Sequence, residues 1–323
     1  MSDPQFDVSR ETGPPPPGPV DDVSRETVYD TPIAREAEQA VHVMNVRQEP
    51  WPRPPKTRVI AISNQKGGVG KTTSTVNLAA ALALHDQRVL VIDLDPQGNA
   101  STALGVSHQA GVPSTYDVLL GGEPLDDVLA PVEISPLLHC VPATIDLAGA
   151  DIELTSLPER EYRLQRAIAA HLNDGAELDY VFVDCPPSLG LLTLNALVAA
   201  QEVLIPIQTE YYALEGLAQL LSTVNLVKEH LNPAISVTTV LLTMYDSRTR
   251  LADQVAAEVR EHFGPLVIDA MIPRSVRVSE APGFGQTVIT YDAGSRGAVE
   301  YVRAARELAT RGAATTTNGG AGE

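Results

Sequence analysis

What the chain is short of narrows its class before any motif is read. Its 323 residues contain two cysteines, Cys140 and Cys185, far apart and outside any metal-ligand spacing. A disulfide framework and a zinc ribbon are therefore excluded, and reduced thiols are expected. No apolar run approaches the roughly 18 to 20 residues that span a bilayer. The polar, acidic start also lacks the basic lead and apolar stretch of a secretory signal. A cytoplasmic protein is the expectation. Positive charge is scarce as well: 23 Lys and Arg face 41 Asp and Glu, a formal charge of -18. Such a surface does not coat nucleic acid as a whole, which leaves room for a local basic patch only. What the chain has in quantity is aliphatic side chain. With 44% hydrophobic residues it can fill the core of one large or two ordinary domains.

Residues 1–56 carry the run GPPPPGPV at Gly13 to Val20, scattered charge and little apolar periodicity, and read as a disordered, Pro-rich acidic tail. The string DVSRET occurs there twice, at Asp7 to Thr12 and Asp22 to Thr27, either as compositional drift or as a docking peptide presented twice. Residues 312–323 (GAATTTNGGAGE) read as a second flexible tail, leaving 57–311 as the folded domain. Within it, Val59 to Ile62, Val89 to Ile92, Tyr180 to Val183, Val203 to Ile207 and Val237 to Leu242 are short, nearly continuous apolar runs, the pattern of strands covered on both faces. Helical stretches alternate with them at Thr72 to Leu84, Glu159 to Leu172, Leu191 to Ala200, Leu214 to His230 and Leu251 to Phe263. This alternation predicts an α/β fold with a mainly parallel, doubly wound sheet flanked by helices, and ligands outside the carboxyl ends of the strands. The stretch from Val106 to Leu137 reads as loop with short helices.

The chemistry begins directly after the first strand, at SNQKGGVGKTT (Ser63 to Thr73). Glycines let backbone N–H groups of Gly67, Gly68, Val69 and Gly70 turn toward a phosphate, and the following helix adds its dipole. Lys71 can reach the outer phosphates, and the hydroxyl of Thr72, next to Thr73, can ligate Mg²⁺. The string departs from the usual phosphate loop in having Gln65 at the first glycine position and a second lysine, Lys66. The second strand ends in DLDPQGN, so Asp93 and Asp95 emerge at the sheet edge, where they serve either as turn formers or in water positioning and metal contact. Val181 to Asp184 ends another apolar strand in an acid, the shape of a carboxylate that holds Mg²⁺ through water.

Together, KGGVGKTT, DLDPQGN and VDCPPSLG resemble the deviant Walker A ATPases, and within them the chromosome-partitioning ParA (Soj) family. Three later strings resemble it too: IQTEYYALEGL from Ile207, LTMYDSRTRL from Leu242 and IPRSVRVSEAPG from Ile272. The resemblance covers about residues 57–311 and implies a P-loop NTPase-like fold, ATP and Mg²⁺ as ligands, and an ATP-bound sandwich homodimer in which Lys66 reaches the phosphates held by the other subunit. It implies Asp95 as the group aligning the attacking water, Asp93 and Asp184 near the metal, and Pro273 among the residues touching nucleotide. The division of labour between Asp93 and Asp95 stays open. The resemblance further implies non-specific DNA binding on the nucleoid and a ParB-type centromere-binding partner that stimulates hydrolysis.

Charge distribution agrees with a DNA-facing patch. Residues 57–247 hold 8 Lys and Arg against 22 Asp and Glu, whereas residues 248–311 hold 9 Arg against 8 acids. Arg248, Arg250, Arg274 and Arg277 lie in the strings resembling the family's DNA-contacting segments, and arginine suits phosphate forks. Their other reading is ordinary surface ion pairing. No recognition-helix motif or aromatic platform is visible, so duplex contact is expected through phosphates and without sequence preference. Three alternatives compete. A membrane-associated positioning ATPase of the MinD type is disfavoured by the small, polar C-terminal segment, and an iron-protein-like reductase by the unmatched cysteines. A nucleotide-switched scaffold, recruiting a polar or cytoskeletal partner through the tail, is compatible with the leading reading.

Overall fold

The computed structural model describes residues 51–314 except 212 and 215. Both copies of DVSRET and the segment 315–323 lie outside the described residues. In an extended chain alternate side chains point to opposite faces, so a run that is apolar at every position needs cover on both. The strands are β1 (Arg58–Ile62), β2 (Val89–Asp93), β3 (Ala130–Pro131), β4 (Leu138–Val141), β5 (Tyr180–Asp184), β6 (Glu202–Gln208), β7 (Ser236–Tyr245) and β8 (Val267–Pro273). They form one sheet in the order β3-β4-β2-β5-β1-β6-β7-β8. All neighbours run parallel except the short β3, which is antiparallel to β4.

The helices are α1 (Lys71–Ala83), α2 (Asn99–Ala103), α3 (Leu125–Val128), α4 (Ala150–Leu154), α5 (Arg163–Asn173), α6 (Leu191–Ala199), α7 (Leu217–His230), α8 (Arg250–Phe263), α9 (Val276–Glu280), α10 (Val288–Tyr291) and α11 (Arg296–Ala314). Strand side chains divide between two cores according to their parity. Ile60, Ile62, Tyr180, Phe182 and Leu204 pack with α1 and α11 on one face. Val59, Ala61, Val181, Val183 and Val203 pack with α5, α6, α7 and α8 on the other. Full burial of each such large side chain contributes about 1.5–3 kcal/mol. Helix α1 is apolar almost all round (NLAAALA) and is buried on nearly every side, as a central helix must be.

The five strands and five main helices expected from the sequence are present, and the parallel, doubly wound architecture is borne out. β4, β8 and α11 are additional. β4 and β8 each break the apolar run with a polar residue, His139 and Asp269, which conceals them from a search for continuous apolar stretches. Between Val106 and Leu137 the chain forms a π-turn at Asp117–Gly121, then α3 and β3. Both expected domain limits shift. Trp51, assigned to the tail, is only 4% exposed and stacks on His85 with ring centroids 3.8 Å apart. Its carbonyl accepts a hydrogen bond from the Gln87 side chain, and Arg53 donates to the carbonyl of Asp86. At the other end α11 continues past Arg311 to Ala314.

Candidate functional site

Parallel strands deliver all their C-terminal ends to one edge of the sheet. The loop following β1 there turns through Gly68 at φ +73° and Gly70 at φ +88°, left-handed conformations that favour glycine. Gly67 and Gly68 are exposed, and a Cβ at either would meet nothing within 4 Å, so their backbone is open to a ligand. Val69, between Gly68 and Gly70, is buried and anchors the loop.

Lys71 opens α1 with 7% exposure, and its ammonium donates a long 3.4 Å hydrogen bond to the carbonyl of Lys66. Burial lowers its pKa, against the fields of Asp184 and Asp95. A buried cation held by so long a bond fits an anionic ligand. Thr72 donates to Asp184 Oδ2 at 2.7 Å, and Thr75 donates to Asp184 Oδ1 at 2.9 Å. Having given its proton to the carboxylate, the Thr72 oxygen keeps lone pairs for a divalent cation. Among the described residues no group of three His, Cys, Asp or Glu makes a protein-only metal cage. The donors present, the Thr72 hydroxyl oxygen with the Asp184 carboxylate behind it, are hard oxygens that fit a Mg²⁺ taking its remaining oxygens from phosphate and water.

The two carboxylates of DLDPQGN, left undivided by the sequence, are separated by the structure. Asp95 lines the cleft, its Oδ1 accepting the Gln97 N–H at 3.0 Å. Asp93 is fully buried and in register with Asp184 on β5. Its Oδ1 accepts the Asp95 N–H at 3.1 Å, and its Oδ2 accepts the N–H and hydroxyl of Ser101 at 2.9 and 2.8 Å. Burial first, and then the charge of Asp184, push its pKa up. Asp93 is thus bound into the turn and the start of α2, beside Asp184.

The cleft has a volume of about 430 Å³, with Gly67, Gly68, Lys71, Thr72, Thr73 and Asp95 on its walls. A second cavity of about 400 Å³ shares Gly70, Thr73, Met244 and Pro282 with it and carries Pro273 and Tyr301. Pro273 therefore shares a cavity with Gly70 and Thr73 of the phosphate loop. Lys66 does not line the cleft of its own protomer; its N–H is held by Asn64 Oδ1 at 3.0 Å.

The arginine strings leave the same edge from β7 and β8, joined where Arg274 donates its N–H to the Tyr245 carbonyl at 3.0 Å. Arg248 makes a two-pronged contact with Asp246 (2.8 and 2.7 Å), which holds that carboxyl down at about 2. Arg274 lies 4.0 Å from Glu210, and Arg277 lies 3.3 Å from Glu280 and 3.4 Å from Asp292. Arg250 is exposed at the first position of α8. Three of the four are ion-paired: Arg248, Arg274 and Arg277.

Sequence reasoning did not single out Thr243, Met244, Pro187, Pro282 or Gly283 as site residues, although all border these cavities. None of them belongs to a motif: Thr243 and Met244 close β7, Pro187 follows β5, and Pro282 and Gly283 lie in a short 3-10 turn after α9.

A family model described as an AAA domain matches residues 57–237. The chain is 51% identical over 254 residues to the chromosome partitioning protein ParA of Myxococcus xanthus, covering 79% of this chain and 88% of that protein. It is 51% identical over 255 residues to the sporulation initiation inhibitor protein Soj of Bacillus subtilis, covering 79% and 99%. Among solved structures, a Mycobacterium smegmatis protein described as cobyrinic acid a,c-diamide synthase with bound ADP and magnesium is 38% identical. It superposes with a TM-score of 0.66, covering 79% of this chain and 93% of that one. With half the aligned residues identical to two partition proteins across nearly their whole lengths, and with a phosphate loop, a buried Asp184 and Asp95 at one sheet edge, the chain belongs to the ParA/Soj family of chromosome-partitioning proteins.

Proposed function

We propose that this protein is an ATP-dependent DNA-partitioning ATPase of the nucleoid, working as a nucleotide-gated homodimer. The observation that carries this reading is the convergence of the phosphate loop, Asp95, Asp184 and the two arginine strings on one edge of one parallel sheet. ATP is the substrate: the N–H groups of Gly67 to Gly70 and the Lys71 ammonium hold its phosphates, while Pro273 and Met244 flank the adjoining cavity. Thr72, with Asp184 behind it, holds Mg²⁺, which when bound neutralises charge on the phosphate oxygens. Asp95 orients water toward the γ-phosphorus. The new P–O bond replaces the bond to the bridging oxygen, and ADP and phosphate leave.

Lys66, outside its own cleft, serves the phosphates of the opposing subunit, which makes turnover depend on association. Pairing two protomers doubles an arginine patch that is weak by itself against a charge of -18. Contacts with duplex phosphates then add across the dimer, giving affinity without sequence preference and a steep salt dependence. A ParB-type partner stimulates hydrolysis and returns the subunits to a DNA-free state, and the N-terminal tail offers a separate attachment for a polar or cytoskeletal protein.

The test is binding to non-specific duplex DNA with ATP, ADP or no nucleotide at several salt concentrations, with Lys66→Ala as control. ATP-dependent, salt-sensitive binding that the control loses is the expected result. Intact ATP turnover with no DNA binding in any nucleotide state would overturn the DNA-partitioning reading and leave a nucleotide-switched scaffold.

A further inference from the structure

The phosphate loop is held from below by a residue far away in sequence. Thr243, 2% exposed near the end of β7, donates its hydroxyl to the Val69 carbonyl at 2.8 Å. Its methyl lies 3.7 Å from where a Cβ on Gly70 would stand. Its own place is fixed in turn, because its carbonyl accepts the Thr209 N–H at 3.1 Å from the neighbouring strand end. No cis peptide bond occurs among the described residues, so the Val69–Gly70 peptide is trans and its N–H points away from its C=O. Fastening the carbonyl to Thr243 therefore turns the Gly70 N–H away from Thr243, and Gly70 is itself on the wall of the cleft. Were the peptide to rotate, the loop would present a carbonyl dipole to a phosphate in place of a donor.

The next two residues extend the connection. Between Leu242 and Tyr245 the pairing with β8 slips by one residue, a β-bulge whose extra residue gives Met244 its positive φ of 51°. That bulge aims Met244 into both cavities. Tyr245, immediately beyond, accepts the Arg274 N–H and leads into Asp246 and Arg248.

We propose that Thr243 is a positioning residue for the phosphate loop, its hydroxyl holding the Val69–Gly70 peptide in the orientation that offers a donor to nucleotide and tying that peptide to the strand end that carries the arginines. This rests on the nucleotide-binding reading above. A backbone donor that met phosphate equally before and during reaction would supply binding rather than rate, so its loss should weaken binding more than turnover.

The experiment compares the full chain with Thr243→Val, which keeps the shape and loses the hydroxyl, and Thr243→Ser, which keeps the hydroxyl. Thermal melts without nucleotide, ATP binding, steady-state turnover and ATP-dependent DNA binding are measured on each. The valine variant is expected to raise KM for ATP roughly tenfold, the effect of a lost hydrogen bond to a buried carbonyl, with kcat changed less than about twofold. It should also need more ATP to reach half-maximal DNA binding, and serine should restore both. A KM within twofold of the parent, or a serine variant as impaired as valine, would overturn the proposal. Should valine prevent folding, Thr243→Ala against Thr243→Ser isolates the hydroxyl by the same readouts, and equal KM values refute it. Failure of the parent chain to bind ATP would refute the nucleotide reading itself, a result distinct from either.

Discussion

Asp93 and Asp95 stand two residues apart, and their replacement by alanine is expected to break different properties. Asp93→Ala leaves the N–H groups of Asp95 and Ser101 and the Ser101 hydroxyl without their acceptor, all in or beside the buried turn. Each orphaned buried donor costs about 1–3 kcal/mol. Removing a carboxyl that burial and Asp184 already disfavour offsets part of this, for a net loss of about 3 kcal/mol. For a domain of this size that lowers the melting temperature by roughly 6–12 °C. Asp95→Ala removes a partly exposed side chain whose contact is one N–H at the turn, so its melting temperature should move by no more than about 2 °C. Turnover reverses the order: Asp95→Ala should bind ATP and fail to hydrolyse it, whereas Asp93→Ala, assayed well below its melting point, should retain measurable hydrolysis. Thermal melts paired with phosphate release decide the matter. Equal melting temperatures for the two variants, or normal hydrolysis by Asp95→Ala, would refute the assignment.

Lys71→Ala removes the buried cation of the cleft and should abolish ATP binding by calorimetry while the fold persists; parental affinity would contradict the phosphate cradle. Trp51→Ala should destabilise by about 3 kcal/mol through loss of a buried aromatic. A chain starting at residue 51 should accordingly melt higher than one starting at residue 57, and identical melts would show that the Trp51–His85 stack contributes nothing. Gly98→Ala forces φ of +62° on a side chain whose Cβ would lie 2.6 Å from His108 Nδ1 and 3.1 Å from the Ala143 carbonyl. It should lower both melting temperature and turnover, since that turn carries Asp95; an unaltered pair would show that the turn yields freely. Asp246→Asn releases Arg248 from its two-pronged partner and should tighten DNA binding a few fold. Unchanged affinity and salt slope would remove Arg248 from the DNA-facing surface.

The central sheet was legible because β1, β2, β5, β6 and β7 are covered on both faces along most of their length and therefore carry short, nearly continuous apolar runs. β4 and β8 interrupt that pattern at His139 and Asp269, and a short strand with one polar residue has no periodicity to distinguish it from loop. Lys71 and Thr72 could be placed from sequence because the glycine-rich string directly follows β1, and Asp95 and Asp184 because each stands at or just past the end of an apolar strand. The separation of Asp93 from Asp95 was not, because adjacent carboxylates of one turn differ only in what lies behind them, here Ser101 and the register with Asp184. Thr243 had no local signal at all: its partner carbonyl is 174 residues away and is brought to it only by the placement of β7 near β1 in the sheet. Trp51 was missed for a related reason, since a lone aromatic in a Pro-rich stretch shows no sequence trace of the ring that receives it.

Trp51 also fixes where the first 50 residues leave the domain. It is fastened beside Gln87, just ahead of β2, while Arg53 lies 3.8 Å from Asp179, just ahead of β5, so Trp51 sits at the edge of the sheet opposite the nucleotide cleft. In the proposed dimer, where the clefts face each other, the two Trp51 residues therefore lie at opposite poles. A partner attached through residues 1–50 would then have one anchoring point on a free subunit and two, a fixed span apart, on the ATP-bound pair. A partner array whose spacing matched that span would hold the dimer by avidity and release the monomer, so hydrolysis at the shared face would be felt at both far ends without any change in the tail itself.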